Sequence, residues 1–570
     1  MTQFDTVILN GTIVDGTRAP RYRGSVGIKD GAITALTRDE LPASEAQRIV
    51  DAQGLVVAPG FIDLHTHYDA QILWDPYATL SGWHGVTSLA VGNCGFGFAP
   101  VRPDERNRAM LSMSRVEAIP FNAMQAGMGW DWETFPEWLD TLERTPKGVN
   151  VLSYVPLGPL MIWVMGLEAA KSRRATPAEI QEMCQLLEAS LAAGGCGWSV
   201  QRLGDGFTSV QRDYDGTPMV TDIMGDDECL AFAEVLRKRG QGHIQITQAK
   251  DDIYEDMAFV EKLAEVSGCP VLFNAITVNN YHPHQHRRLM QWIEEAQSRG
   301  NPVYGQTLTV GNDLTYTFED FNLLDGTDCW REVTLGSVEE RKAKMQNPEN
   351  RAALRHDYDH GRMPIVTGPI REFIVLETKN PENKKFEGKK IQELGEMTGS
   401  HPIDAFLDLV VSENLQTAIF TPSFNTNADL NRELMQSEYT VPGVSDGGAH
   451  TKFVTLGRYT TEFITDFCRD NDVVTLEEAH YRLSALPAKM GGFHDRGTLS
   501  EGRPADIVVY DFDNLRCTPP EIAHDFPADE WRRIQKADGY RWIFVNGEPT
   551  FIDGECTDST PGRLLRHGHA

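Results

Sequence analysis

The chain has 570 residues, 41% apolar and 24% charged, an ordinary globular composition with room for one large domain and a smaller one. Its 53 Lys and Arg stand against 82 Asp and Glu, a formal net charge of −29, which argues against nucleic acid or a membrane surface as a partner and leaves an anionic small substrate allowed. The opening "MTQFDTVILNG" carries Asp5 and no apolar signal core, and the nine cysteines form no CxxC pair, so reduced thiols in a cytoplasm are expected.

In chain order, "TVILNGTIVDG", "GSVGIKDGAITALT" and "RIVDAQGLVVAPG" alternate apolar and polar residues between Gly turns, the pattern of antiparallel strands. "ADIVVYD" and "RWIFVNGEPTFIDGE" do the same near the C-terminus. Neither end has strands enough to bury a face alone. One β-sandwich built from residues 1–58 and 488–570 is therefore predicted. Between them, eight short apolar runs alternate with amphipathic stretches: "FIDLHTH", "VTSLAVGN", "NVLSYVP", "CGWSVQ", "HIQITQ", "PVLFNA", "PVYGQTL" and "YTVPGVSD". That alternation predicts an α/β fold, a (β/α)8 TIM-like barrel over 59–487. The most apolar run, 151–167, is broken by Pro156, Gly158 and Pro159 and reads as barrel core, not a membrane span. "TPAEIQEMCQLLEASLAAG" predicts a helix with Thr176 as N-cap, Pro177 at the first position and Glu179 closing a capping box. After the seventh run, an insertion near 309–371, with Tyr316, Phe318, Phe321 and Trp330 and a helix opened at Ser337 and Glu340, is expected to cover the barrel mouth as a lid. A peripheral packing element is the alternative.

The first run ends in His65 and His67. Two apart on a strand, their side chains share a face, at the C-terminal mouth where barrels do chemistry. That arrangement suits two imidazoles on one divalent ion. "HPHQH" (His282, His284, His286) and "HGH" (His567, His569) have the same spacing but follow no apolar strand, and read as surface loop and tail.

"APGFIDLHTHYD", "GVTSLAVGNCGFGFAP", "GVSDGG", "EGRPADIVVYD" and "VNGEPTFIDGECTDSTPGRLLR" resemble motifs of the amidohydrolase superfamily, in its N-acyl-D-amino-acid deacylase (D-aminoacylase) branch. The resemblance runs over nearly the whole chain, strongest at its ends. It implies that His65, His67, Cys94 and Asp446 ligate metal, and that Asp446 is also the general base and acid. Zinc is implied, one ion per chain, with two as the alternative. Such an ion makes water acidic enough to attack an amide, and thiolate is the form in which cysteine binds it. Taken alone, Cys94 is a small buried apolar residue and Asp446 a turn former.

The middle of the chain departs from the branch. Gln248 in "HIQITQAK" and Asn274 in "VLFNA" stand where strands five and six are expected to present histidine, while Leu157 and Met161 replace a histidine and an arginine. Gln248 and Asn274 become candidates to hydrogen-bond substrate. Lys250 is a candidate for an anionic group, with a solvated loop lysine as the alternative; His450 is a candidate contributor, with a backbone-bonded loop histidine as the alternative. The expected function is hydrolysis of a non-peptide C–N bond, by resemblance deacylation of an N-acyl-D-amino acid. Alternatives are hydrolysis of a cyclic amide, ester or carbamate on the same site, and a silent homologue that binds metal or ligand without turnover. The expected partner is a small-molecule substrate, with a homo-oligomer left open.

Overall fold

The computed structural model describes residues 3–568 apart from 205, 207, 208, 251, 320–323 and 365; Phe321 and His569 therefore lie outside the described residues. Eight parallel strands form the barrel, here β1 (Phe61–Asp63), β2 (Val86–Val91), β3 (Asn150–Ser153), β4 (Gly197–Arg202), β5 (His243–Gln248), β6 (Val271–Ile276), β7 (Val303–Thr307) and β8 (Thr440–Pro442). These are the eight apolar runs, and they are almost wholly buried, β2 and β4 on both faces throughout, as parallel strands under helices must be. Cys196 N donates to Ser153 O at 3.0 Å between β3 and β4. The ring closes beyond β8, where Thr66 pairs with Gly447 and His67 N donates to Gly447 O at 2.7 Å. Inside, Ile62, Ala90, Leu152, Leu272, Tyr304 and Val441 pack with Leu486 and Met490 into one apolar cluster.

The connecting helices follow local rules. Pro177–Ala192 starts at Thr176, which accepts from Glu179 N while the Glu179 side chain reaches back. Asp226–Arg239 carries Asp226, Asp227 and Glu228 in its first turn and Arg237, Lys238 and Arg239 in its last, matching the helix dipole at both ends.

Both termini enter a single nine-stranded sheet. Ile507–Tyr510 pairs antiparallel with Val56–Pro59, so the C-terminal strands continue the N-terminal ones. Alternation then divides this pair between two cores. Val57, Ile507 and Val509 face the sheet's own cluster with Ile8, Val26 and Phe544. Val56, Ala58, Val508 and Tyr510 face the barrel cluster instead.

The segment between β7 and β8 runs from 308 to 439, well past 371. The extension has a structural reason: Leu314–Tyr316, Ile374–Glu377 and Ala418–Thr421 form one antiparallel sheet whose middle strand is the last of them in sequence. The helix predicted at Ser337 is present as Val338–Gln346 with its capping box. Among the described residues no helix is long and apolar enough to cross a membrane.

Candidate metal centre

The chain beyond β1 is held by its own backbone partners. Asp63 accepts from His65 N at 3.1 Å, Thr66 Oγ1 donates to Ala90 O at 2.7 Å, and Ser445 Oγ donates to His65 O at 2.8 Å. The two imidazoles, each 2% exposed, end with ring centroids 5.6 Å apart. β2 ends in a sharp turn in which Cys94 takes φ 58°, a left-handed conformation rare for a side chain bearing a Cβ. Cys94 N donates to Gln245 Oε1 at 2.6 Å, fixing the turn to β5. Asp446 (φ 45°) and His450 (φ 51°) adopt the same region in the loop after β8. The glycines of "SDGG" are demanded by close approach. A Cβ on Gly448 would sit 2.9 Å from the His67 backbone, and one on Gly447 would sit 2.7 Å from Ser81 Oγ.

Donor atoms of His65, His67 and Cys94 lie within 4.8 Å of one another. His65 Nε2 is 3.4 Å from Cys94 Sγ and 3.1 Å from Asp446 Oδ1, and His67 Nε2 is 3.8 Å from the same oxygen. Two donors about 2.0–2.3 Å from one tetrahedral ion stand roughly 3.3–3.7 Å apart, so the set fits a divalent metal of the zinc type. Asp446, at 22%, is the more exposed member and faces whatever enters the mouth. Burial opposes its charge, but the hydrogen bond and charge of His65, with His67 and His450, hold its carboxyl well below the usual range. Burial drives His67 down to about 3, so that ring stays neutral and can donate a lone pair.

Asn274 joins this cluster: its amide touches His65 Nδ1, which also lies 3.3 Å from Gln306 Oε1. His450 also joins it, but through a carboxylate that sequence reasoning missed. Its Nε2 lies 3.3 Å from Glu117 Oε2, and its backbone N donates to Glu117 O at 2.5 Å.

Gln248 and Lys250 are not brought to the metal donors. Gln248 Nε2 donates to Asp256 Oδ1 at 2.6 Å, in the layer between β5 and its helix. Lys250 Nζ lies 3.8 Å from Asp226. The reason is register: on β5 the side chains that reach Cys94 are Gln245 and Thr247, of opposite parity to Gln248. Counting alternation back along "HIQITQ" finds them; matching the strand's last residue does not. Leu157 and Met161 are fully apolar packing in the helix Leu157–Met165. His286 corrects the surface reading of "HPHQH": it is buried on the helix Gln285–Ser298 and bonded to Glu433 at 2.8 Å. His567 of the tail is likewise half-buried, stacked edge-on near His243.

A parallel barrel with imidazole, thiol and carboxylate converging at its mouth is the architecture of metal-dependent hydrolases. The chain belongs to the amidohydrolase family, whose profile matches residues 48–551. It is 25% identical to the N-acyl-D-aspartate deacylase of Alcaligenes xylosoxydans xylosoxydans, covering 100% of this chain and 96% of that one. To the D-aminoacylase of the same organism it is 25% identical, over 99% and 97% of the two chains. Among solved structures, N-acyl-D-glutamate deacylase from Bordetella bronchiseptica, complexed with zinc and a phosphonate inhibitor, superposes with a TM-score of 0.67 at 21% identity over 99% of both chains. The chain is thus a hydrolase of C–N bonds other than peptide bonds, and it resembles the D-aminoacylase branch over its whole length.

Proposed function

We propose that this chain removes the acyl group from an N-acyl-D-amino acid on a zinc centre held by His65, His67, Cys94 and Asp446. The observation that carries the reading is the convergence of His65, His67 and Cys94, from β1 and the β2 turn, with Asp446 of the β8 loop 3.1 Å from His65 Nε2 and 3.8 Å from His67 Nε2. The substrate class is supported by the relatives, which are named as deacylases of N-acyl-D-amino acids.

When bound, the ion would polarise the amide carbonyl and lower the pKa of a water molecule. The remaining work falls to the protein. Asp446, kept ionised by its histidine neighbours, stands where it can take a proton from that water and deliver it to the leaving nitrogen. His65 is held between Asp446 on Nε2 and Gln306 and Asn274 on Nδ1, so its donor nitrogen cannot turn away.

A panel of N-acetyl-D- and N-acetyl-L-amino acids tests the reading, run beside hydantoins and lactams. Turnover of the D-acyl compounds, abolished in Asp446→Asn at unchanged fold, is the expected result. Turnover confined to cyclic amides would move the substrate to the second class. Normal turnover by Asp446→Asn would overturn the role of that residue.

A further inference from the structure

Glu117 follows the helix Arg106–Val116 in the connection between β2 and β3, where no strand end presents it. Its side chain is 1% exposed, and neither carboxylate oxygen has a hydrogen-bond partner. A buried carboxylate left in that state costs several kcal/mol unless a cation meets it. Among the described residues no Lys or Arg is paired with it: the groups that face it are imidazoles, His450 Nε2 at 3.3 Å and His67 Nε2 at 3.9 Å.

The surroundings hold Glu117 in this position. Arg115, two residues earlier, is gripped by Asp325 of the inserted segment at 2.6 and 2.7 Å. Ala118, the next residue, turns at φ 50°. The Glu117 carbonyl accepts from His450 N, so the loop after β8 and the loop before β3 are tied at this residue. Two oxygens, desolvated and aimed past His67, form half of a coordination shell without its ion. The 3.9 Å gap to His67 Nε2 lies within the span of two ligands on one divalent cation, which reaches about 4 Å when they are opposed. His67 Nε2 is also 3.8 Å from Asp446 Oδ1, so this imidazole stands at ligand-to-ligand distance from both carboxylates.

We propose that Glu117 is a ligand of the metal centre on its His67 side, oriented by His450. The proposal rests on the zinc reading above. It adds a carboxylate that no motif of the chain announces, and it places the β2–β3 connection, not only the strand ends, in the coordination shell.

Competition titration of zinc and cobalt(II) against a chromophoric chelator, with the visible spectrum of the cobalt form, tests it without any assay of turnover. Glu117→Gln is expected to weaken both metals at least about 10-fold and to change the cobalt band in position or intensity. Glu117→Asp, which keeps the charge but withdraws it, should show the same two changes in smaller measure, and serves if the glutamine variant does not fold. A spectrum identical to that of the wild type overturns the proposal whatever the affinity, and so does an unchanged affinity. If the wild-type chain itself takes up neither metal, the zinc reading falls first and this inference with it; uptake by the wild type with no change in the variants overturns this inference alone.

Discussion

His65 Nε2 and Asp446 Oδ1 stand 3.1 Å apart, joining the first strand of the barrel to the loop after the last. The contact lies beside the seam where the ring closes, at the Thr66–Gly447 bridge. The donors of the centre and the closure of the barrel are therefore set by the same residues, and a change to one is felt by the other.

Gln306 is expected to control metal affinity without touching metal. His65 Nε2 faces Asp446 and Cys94, so its Nδ1 is the nitrogen that carries hydrogen toward Gln306 Oε1 at 3.3 Å. Gln306→Leu removes that acceptor from a buried imidazole. Zinc affinity should fall about 10–100-fold, read by chelator competition. An unchanged affinity would show that Gln306 does not orient the ring.

Zinc should stabilise the fold by mass action. The donors come from three separated parts of the chain, at 65–67, 94 and 446, so the unfolded state cannot bind alike. Stripping metal with a chelator should lower the thermal midpoint, and restoring zinc at about 1,000 times its dissociation constant should return roughly 4 kcal/mol. Equal midpoints with and without metal would contradict the donor set.

The pH dependence of the metal-free protein should report Glu117. Burial, then the negative charge of Asp446, pushes this carboxyl well above its ordinary 4.5, against the pull of His65. An acid whose folded value is raised holds its proton longer when folded than when unfolded. Stability is thus lost as pH climbs from about 4.5 through the raised value, by up to ~1.4 kcal/mol per pH unit. Metal-free Glu117→Gln should therefore resist urea better than the metal-free wild type at pH 8, with the gap closing near pH 4. A variant less stable at pH 8 would mean that the carboxylate is satisfied by its histidine neighbours.

Asp325 anchors the inserted segment to the barrel. Its carboxylate is 1% exposed and meets Arg115 through Nε at 3.1 Å and through Nη2. Asp325→Ala leaves that guanidinium half-paired in a desolvated place, and should cost about 3–5 kcal/mol in urea unfolding. It should also loosen metal binding through Glu117. A cost below 1 kcal/mol would show that Thr334, which also faces Arg115, carries the anchor.

The sequence by itself determined the eight strands of the barrel, because a strand buried on both faces must be a short continuous apolar run, and such runs are visible in one dimension. It likewise determined the capped helices at Thr176 and Ser337 and set His65 and His67 on one strand end, since each of these signals is local, whereas Cys94 and Asp446 were marked only by the resemblance. What only the tertiary structure decided was which side chains face the centre from the middle strands. Strand parity is lost if the register slips by one residue, so Gln248 looked inward on paper while Gln245 and Thr247 do so in space. Glu117 had no local signal at all. A carboxylate after an ordinary helix becomes unusual only when folding removes its water and sets His67 and His450 before it, and desolvation is a property of the packed molecule, not of the string.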